Sequence, residues 1–167
     1  MTAGEANCIT SPLLPARPDQ SKTTVLVVDD SPDMLRYLRV LLELDSYQVE
    51  TASNGIEALQ RVRDGCIPAV VLLDLQMPRM DGLKTLRRLR KLRPELKVIM
   101  CSGVADPDKV QRAAALGAQA YLIKPVKHLY LSAALERCLT LNSTMPAEEG
   151  LGASLATLPS PLESEKI

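Results

Sequence analysis

Apolar and polar positions alternate along this chain between two rhythms. Short continuous aliphatic runs, Val25-Leu-Val-Val28, Val70-Val-Leu-Leu73, Val98-Ile-Met-Cys101 and Ala120-Tyr-Leu-Ile123, have the length and β-branched content of strands buried on both faces of a parallel sheet. Between them lie stretches with apolar residues at helical spacing, opened by cap residues and closed by glycine or proline. The first strand, about 24–29, leads into Ser31-Pro32, a helix cap followed by proline at the first helical position. Leu35, Leu38, Leu41 and Leu42 supply the inward stripe of that helix. Tyr47 to Thr51 reads as a short second strand. Asn54-Gly-Ile-Glu57 resembles a capping box, with Ile56, Leu59 and Val62 facing inward and Gly65 as the stop. A third strand at 69–73 is followed by a turn-rich loop to Gly82 and a helix from about Leu83 to Pro94. Lys97 to Cys101 is the fourth strand, and Asp106-Pro107 starts a helix that runs to Gly117. The strand at 119–123 precedes a fifth helix, ending near Leu141, with Leu129, Ala133 and Leu135 to Leu139 on its apolar side. Five strand–helix alternations predict an α/β domain with parallel strands and helices on both faces.

Composition sets the bounds. The chain has 167 residues, 46% of them hydrophobic and 24% charged, room for one full core and not for two ordinary domains. Residues 1–22 hold three prolines and neither structural period, which predicts a flexible leader, with the domain at 23–141 and a disordered tail at 142–167 rich in proline, serine and glutamate. Lysine plus arginine equals aspartate plus glutamate at 20 each, so nothing global favours nucleic acid or an anionic membrane. The acidic, apolar-poor N-terminus does not read as a secretion signal, and no apolar run reaches the length of a membrane span. A soluble cytoplasmic protein is expected. Cys8, Cys66, Cys101 and Cys138 are scattered and, with one histidine, complete no zinc set. They read as reduced thiols, Cys66 and Cys101 as small core residues.

The chemistry is concentrated where strands end. Asp29-Asp30 follow the first strand, Asp74 the third, Ser102-Gly103 the fourth and Lys124-Pro125 the fifth. In an open parallel sheet these ends meet at one edge, the edge where such folds bind ligands. Unit charges about 4 Å apart interact by roughly 4 kcal/mol at an effective dielectric near 20. Three acids gathered there therefore resist full ionisation unless a cation joins them, and a hard ion such as Mg²⁺ suits carboxylate and carbonyl oxygens.

The ordered set Asp29-Asp30, Asp74 with Met77-Pro78 and Asp81-Gly82, Ser102-Gly103 and Lys124-Pro125 resembles the receiver domain of two-component response regulators. The resemblance implies a flavodoxin-like (βα)5 sandwich with a five-stranded parallel sheet of order 2-1-3-4-5. It implies that Asp74 is the phosphoacceptor, that Asp29, Asp30, Asp74 and the Gln76 backbone carbonyl hold Mg²⁺ (Mn²⁺ as the alternative ion), and that Lys124 and Ser102 contact the phosphoryl group. Gln76 and Val104 would flank that group, and Tyr121 would follow Ser102 as the switch aromatic. The Lys124-Pro125 bond is expected to be cis on the same ground. Ser102 stands where many receivers have threonine, which keeps the hydroxyl and loses a rotamer-restricting methyl.

The implied partners are a histidine kinase or histidine phosphotransfer protein and an unknown downstream protein met through the face made by helix 4, strand 5 and helix 5. A homodimer through that face is a further expectation; direct contact with nucleic acid or membrane is not expected. The expected protein is a single-domain response regulator that transforms no separate metabolite. Two other readings stay open. A Mg²⁺-dependent aspartate-nucleophile phosphatase of the haloacid dehalogenase type would need an aspartate two residues after the nucleophile, where Gln76 stands. A phosphorylation-independent receiver-like scaffold would not need the acid, serine and lysine set. His128 reads as a surface residue, and Lys84, Arg88 and Lys91 as a solvated helix face open to an acidic partner.

Overall fold

The computed structural model describes residues 23–140. The expected leader at 1–22, Cys8 and the expected tail at 142–167 lie outside the described residues. Ten elements alternate strictly: β1 (Thr24–Val28), α1 (Pro32–Leu44), β2 (Gln48–Ala52), α2 (Gly55–Arg63), β3 (Val70–Asp74), α3 (Gly82–Leu92), β4 (Lys97–Ser102), α4 (Pro107–Ala115), β5 (Ala120–Ile123) and α5 (His128–Thr140). The sheet is wholly parallel with order β2-β1-β3-β4-β5, the flavodoxin-like arrangement.

Local chemistry starts the helices as the sequence reading expects. Ser31 caps α1 by accepting from the Met34 N–H, with Pro32 at the first helical position. Asp106 caps α4 as expected, and Asp81, which the sequence reading leaves in the loop, caps α3. Asn54 caps α2, while the reciprocal bond of the box falls one residue earlier: the Glu57 carboxylate accepts from the N–H and hydroxyl of Ser53. These bonds satisfy donors that a helix start leaves open. Those Ser53 bonds, with Arg61 alongside, hold the Glu57 carboxyl below its ordinary range.

The sheet divides two cores. On one side β1, β3 and β4 pack residues such as Leu26, Val71 and Met100 against α2, α3 and α4. On the other, Val27, Leu72 and Ile99 pack against Leu38 and Leu42 of α1 and Leu131 and Leu135 of α5. Every residue of β3 is buried, which explains its unbroken apolar pattern.

In two helices part of the expected face is exposed, while Leu59 and Val62 of α2 and Leu135 and Cys138 of α5 are buried as expected. Ile56 is 51% exposed, and α2 buries Gly55, Ala58, Leu59 and Val62. Gly55 turns this face toward α3, because a Cβ there would lie 2.0 Å from the Thr85 Oγ1; Ile56, about 100° further round, then faces solvent. In α5, Leu129 is 75% exposed and Ala133 is exposed, while Leu131, Ala134, Leu135 and Cys138 are buried. The start of α5 is apolar nearly all round, so spacing alone offers several stripes, and the packed one includes Leu131 and Cys138. Leu35 and Leu41 are half-buried beside the fully buried Leu38 and Leu42. Cys101 is buried as expected, whereas Cys66 is only half-buried in the connection after α2. Burial pushes the thiols of Cys66 and Cys138 up and that of Cys101 up to about 12.

Candidate functional site

Three strand ends converge on one acidic pocket. Asp29 and Asp30 leave β1, Asp74 closes β3, and these two strands are neighbours in register. Ligand atoms from all three carboxylates lie within 4.8 Å of one another. Asp29 and Asp74 are buried, at 2% and 4% exposure, and Asp30 is open to solvent. Lys124, just past the edge strand β5, reaches in from 95 residues away: its Nζ donates to Asp29 Oδ2 at 2.7 Å and lies 2.9 Å from Asp74 Oδ1. The Lys124–Pro125 peptide bond is cis, as the resemblance led one to expect.

Asp29 is the most constrained of the acids. Its Oδ1 accepts from the Ser31 N–H at 2.9 Å while Oδ2 takes Lys124, so the residue that opens α1 also orients the pocket. The pairing of Lys124 with Asp29, closer than that with Asp74, is the feature the sequence reading missed; parallel strands that end in charge were the available signal.

Burial raises the Asp74 carboxyl above its ordinary range and the charge of Asp29 adds to this, against the hydrogen bond and charge of Lys124 and the nearby Gln76 N–H. Desolvation outweighs a lysine shared between two acids. Lys124 is raised as well, by a different balance: burial pulls its ammonium down, but Asp29 and Asp74 outweigh this and hold it above the usual lysine range. Three carboxylates and one ammonium leave two net negative charges, which a divalent cation would neutralise. The all-oxygen donor set fits Mg²⁺ or Mn²⁺.

Ser102 and Tyr121, which the resemblance pairs as a switch, are joined through Val104 into one string. The Val104 N–H donates to Ser102 Oγ at 3.3 Å and the Tyr121 hydroxyl donates to the Val104 carbonyl at 3.3 Å. Ser102 is 1% exposed, the Val104 side chain 56%. The Ser102 carbonyl accepts from the Lys124 N–H at 2.7 Å, tying the string to the lysine. Gln76 is exposed on the loop beyond Asp74.

Gly82 holds that loop in place. A Cβ at this position would lie 2.3 Å from the Asp74 carbonyl oxygen and 2.8 Å from the Leu75 Cα, so the start of α3 rests directly on the backbone that presents Asp74. His128 is not in the pocket. It lies at the start of α5, half-exposed, with Nε2 3.0 Å from Asp45 Oδ2, and Ser132 donates to the same oxygen at 2.6 Å; serine and histidine thus share an acceptor instead of forming a relay. Lys84, Arg88 and Lys91 are all exposed on α3. Among the described residues, no helix is long and apolar enough to cross a membrane.

Comparison with known proteins points one way. Residues 25–136 match the family model of the response regulator receiver domain. The chain is similar to the transcriptional regulatory protein ZraR of Escherichia coli K12, 35% identical over 124 residues, which cover 74% of this chain and 28% of that protein. It is also similar to the chemotaxis protein CheY of Halobacterium salinarum, 31% identical over 116 residues, 70% of this chain and 96% of that one. The chain therefore spans under a third of ZraR and nearly the whole of that CheY. Among solved structures, a CheY-like receiver domain protein from Methanospirillum hungatei superposes with a TM-score of 0.68 at 31% identity, covering 72% of this chain and 95% of that one. A chain of the CheX-CheY-BeF3-Mg+2 complex from Borrelia burgdorferi superposes with a TM-score of 0.66 at 26% identity, covering 69% of this chain and 87% of that one.

Proposed function

This chain belongs to the response regulator receiver domain family, and we propose that it takes a phosphoryl group onto Asp74 from a phosphohistidine on a histidine kinase or histidine phosphotransfer protein. The observation that carries this reading is the Lys124 ammonium, held between Asp29 and Asp74 at the mouth of a pocket that keeps two uncompensated negative charges. In the step itself an Asp74 carboxylate oxygen attacks phosphorus in line, a new O–P bond forms, the N–P bond of the donor breaks, and the imidazole leaves with its electron pair and takes a proton from water. Asp29, Asp30, Asp74 and the Gln76 carbonyl would hold Mg²⁺, whose contribution is to neutralise charge on the phosphoryl oxygens. Lys124 supplies a second positive charge and pivots from carboxylate to phosphoryl oxygen. The chain acts on itself in this chemistry and turns over no separate metabolite.

The switch follows from the same groups. Ser102 Oγ turns its proton toward a phosphoryl oxygen, which releases the Val104 N–H and loosens the anchor of Tyr121. Hydrogen bonds to charged groups contribute about 1.5–3 kcal/mol each, so two of them approach the ~5.5 kcal/mol that inverts a 1:99 equilibrium. The surface remodelled is that of α4, β5 and α5, which would bind a downstream protein or a second copy of the chain. The resemblance to a CheY along nearly its whole length supports action through protein contacts.

The test is phosphoryl uptake from acetyl phosphate with Mg²⁺, compared between the natural protein and Asp74→Asn. One acid-labile phosphoryl group per chain is expected, absent from the variant and from samples treated with a chelator. Label retained by Asp74→Asn would overturn the assignment, and steady turnover of p-nitrophenyl phosphate would favour a phosphatase. Beryllium fluoride, a tetrahedral mimic of a carboxyl-bound phosphoryl group, should shift the amide resonances of Ser102, Val104 and Tyr121 in the presence of Mg²⁺; unchanged resonances there would rule out the switch.

A further inference from the structure

On the side of the sheet covered by α2, α3 and α4, an open groove runs between α3 and α4. One end, a cavity of about 480 Å³, begins at Gln76 and Met77 in the loop after β3. The other reaches Ala115 and Leu116 at the end of α4. Leu83 and Leu116 are half-buried and give the groove an apolar floor. Its rims are cationic, with Lys84 and Arg87 on α3 and Lys109 and Arg112 on α4.

These cations differ in their partners. Lys84 Nζ lies 3.4 Å from Asp81 and Lys109 Nζ lies 3.5 Å from Asp106, so both lysines are locally compensated. Arg87 and Arg112 are exposed, and neither guanidinium makes a hydrogen bond or ion pair with a described residue. The groove thus presents two open guanidinium forks above a leucine floor. A segment with paired carboxylates and a leucine matches it, because each fork takes a carboxylate in a bidentate pair. Nucleic acid matches it less well, since Asp81 and Asp106 stand on the rims and no aromatic residue lines them to stack a base.

The chain carries such a segment. Beyond Thr140 its sequence has four glutamates against one lysine, and the first acidic pair is Glu148-Glu149-Gly150-Leu151. Leu139, in the last turn of α5, lines a cavity with Arg93, the residue that caps the end of α3, and Lys97 Nζ donates to the Cys138 carbonyl. The end of α5 is therefore beside the end of α3. From Arg93 back to Arg87 is about 9 Å of helix, and the eight residues from Thr140 to Glu148 can span up to roughly 27 Å. A tether this short gives an effective concentration in the millimolar range, so even the weak pairing of exposed charges has a large local advantage over a partner in solution.

We propose that Glu148-Glu149-Gly150-Leu151 seats in the α3–α4 groove of its own chain, its two carboxylates on Arg87 and Arg112 and Leu151 over Leu83 and Leu116. The contact is an autoinhibitory one, closing the groove to acidic partners, and it does not depend on whether Asp74 takes a phosphoryl group. Zero-length carbodiimide cross-linking of the full chain, as a mixture of ordinary and ¹⁵N-labelled copies at low ionic strength, tests it by mass spectrometry. Expected are isopeptide bonds from Lys84 or Lys109 to Glu148 or Glu149 within single copies. Their yield should fall about fivefold in an Arg87→Gln/Arg112→Gln variant, the fold-change given by two exposed pairs together, and fall similarly in 1 M salt. Both arginines are exposed, so the variant keeps its fold. Bonds that join ordinary to labelled copies would overturn the proposal in favour of a second copy of the chain. Bonds confined to Glu163 or Glu165 would overturn the assigned segment, and no bond from either lysine would overturn the proposal altogether.

Discussion

The middle of the sheet and its β5 edge are built to different standards. All five residues of β3 are buried, while β5 has none buried and exposes Ile123 at 53%. Asp29 and Asp74, which hold fixed positions in the pocket, extend from the central strands β1 and β3; Tyr121 and Lys124, which would have to move, extend from the edge. The difference teaches how rigidity and freedom are allotted to different strands of one sheet, following the density of packing around each.

The sharpest way to break this contrast is truncation at matched aliphatic positions. Leu72→Ala, at the centre of β3, should cost about 2–5 kcal/mol, whereas Ile123→Ala at the edge should stay within about 0.5 kcal/mol; urea denaturation of the two variants decides it. Similar losses would mean that the edge is as tightly built as the centre.

A second pair contrasts glycines. Gly82→Ala must displace the backbone of Asp74 and Leu75, at an expected cost of about 1–3 kcal/mol, with slower phosphoryl uptake from acetyl phosphate. At Gly103 an added Cβ meets nothing within 4 Å, and Gly103→Ala should be close to neutral in thermal unfolding and in uptake.

The third concerns charge at the centre. Asp74 has a folded-state pKa raised chiefly by burial, so its ionised form opposes folding. That penalty is absent below the ordinary carboxylate pKa near 4, grows as pH rises through the interval up to the folded pKa, and then stays constant. Asp74→Asn should therefore melt higher than the natural protein in chelator at pH 7, with the gap closing as pH approaches 4. A gap that does not depend on pH would point to a cause other than ionisation.

The smallest effect is expected at Glu57, whose pKa is lowered by its bonds to Ser53. Its contribution is present above the unfolded carboxylate pKa and is lost as pH falls through the lower folded value. With the side chain more than a third exposed, Glu57→Gln should cost only a few tenths of a kcal/mol at neutral pH after screening, measured as a small drop in denaturation midpoint that disappears in acid.

Much of this was legible in the sequence for a physical reason. Strands buried on both faces must be continuously apolar, so the charged residues that stop them, Asp29, Asp74 and Lys124, mark both the strand ends and the pocket. Caps such as Ser31, Asn54 and Asp106 are local and were equally plain. What escaped were the choices made by packing. Ile56 and Leu129 sit at spacings as suitable for burial as their neighbours, and only the close approach of Gly55 to Thr85, or of Leu131 to the α1 side of the sheet, decides which stripe turns inward. The string from Ser102 through Val104 to Tyr121 runs through backbone groups, which carry no sequence signal, and the bond from Lys124 to Asp29 depends on side-chain direction at two strand ends not adjacent in the sheet.

The 95-residue separation of Lys124 from Asp29 makes the pocket a late product of synthesis. A ribosome-bound chain that has released everything up to Ile123 already owns all three acids and lacks Lys124, the cation paired with Asp29 and Asp74. On the proposed function, competence to take a phosphoryl group would then coincide with completion of the fifth strand, and half-made copies would stay out of that traffic without any separate inspection.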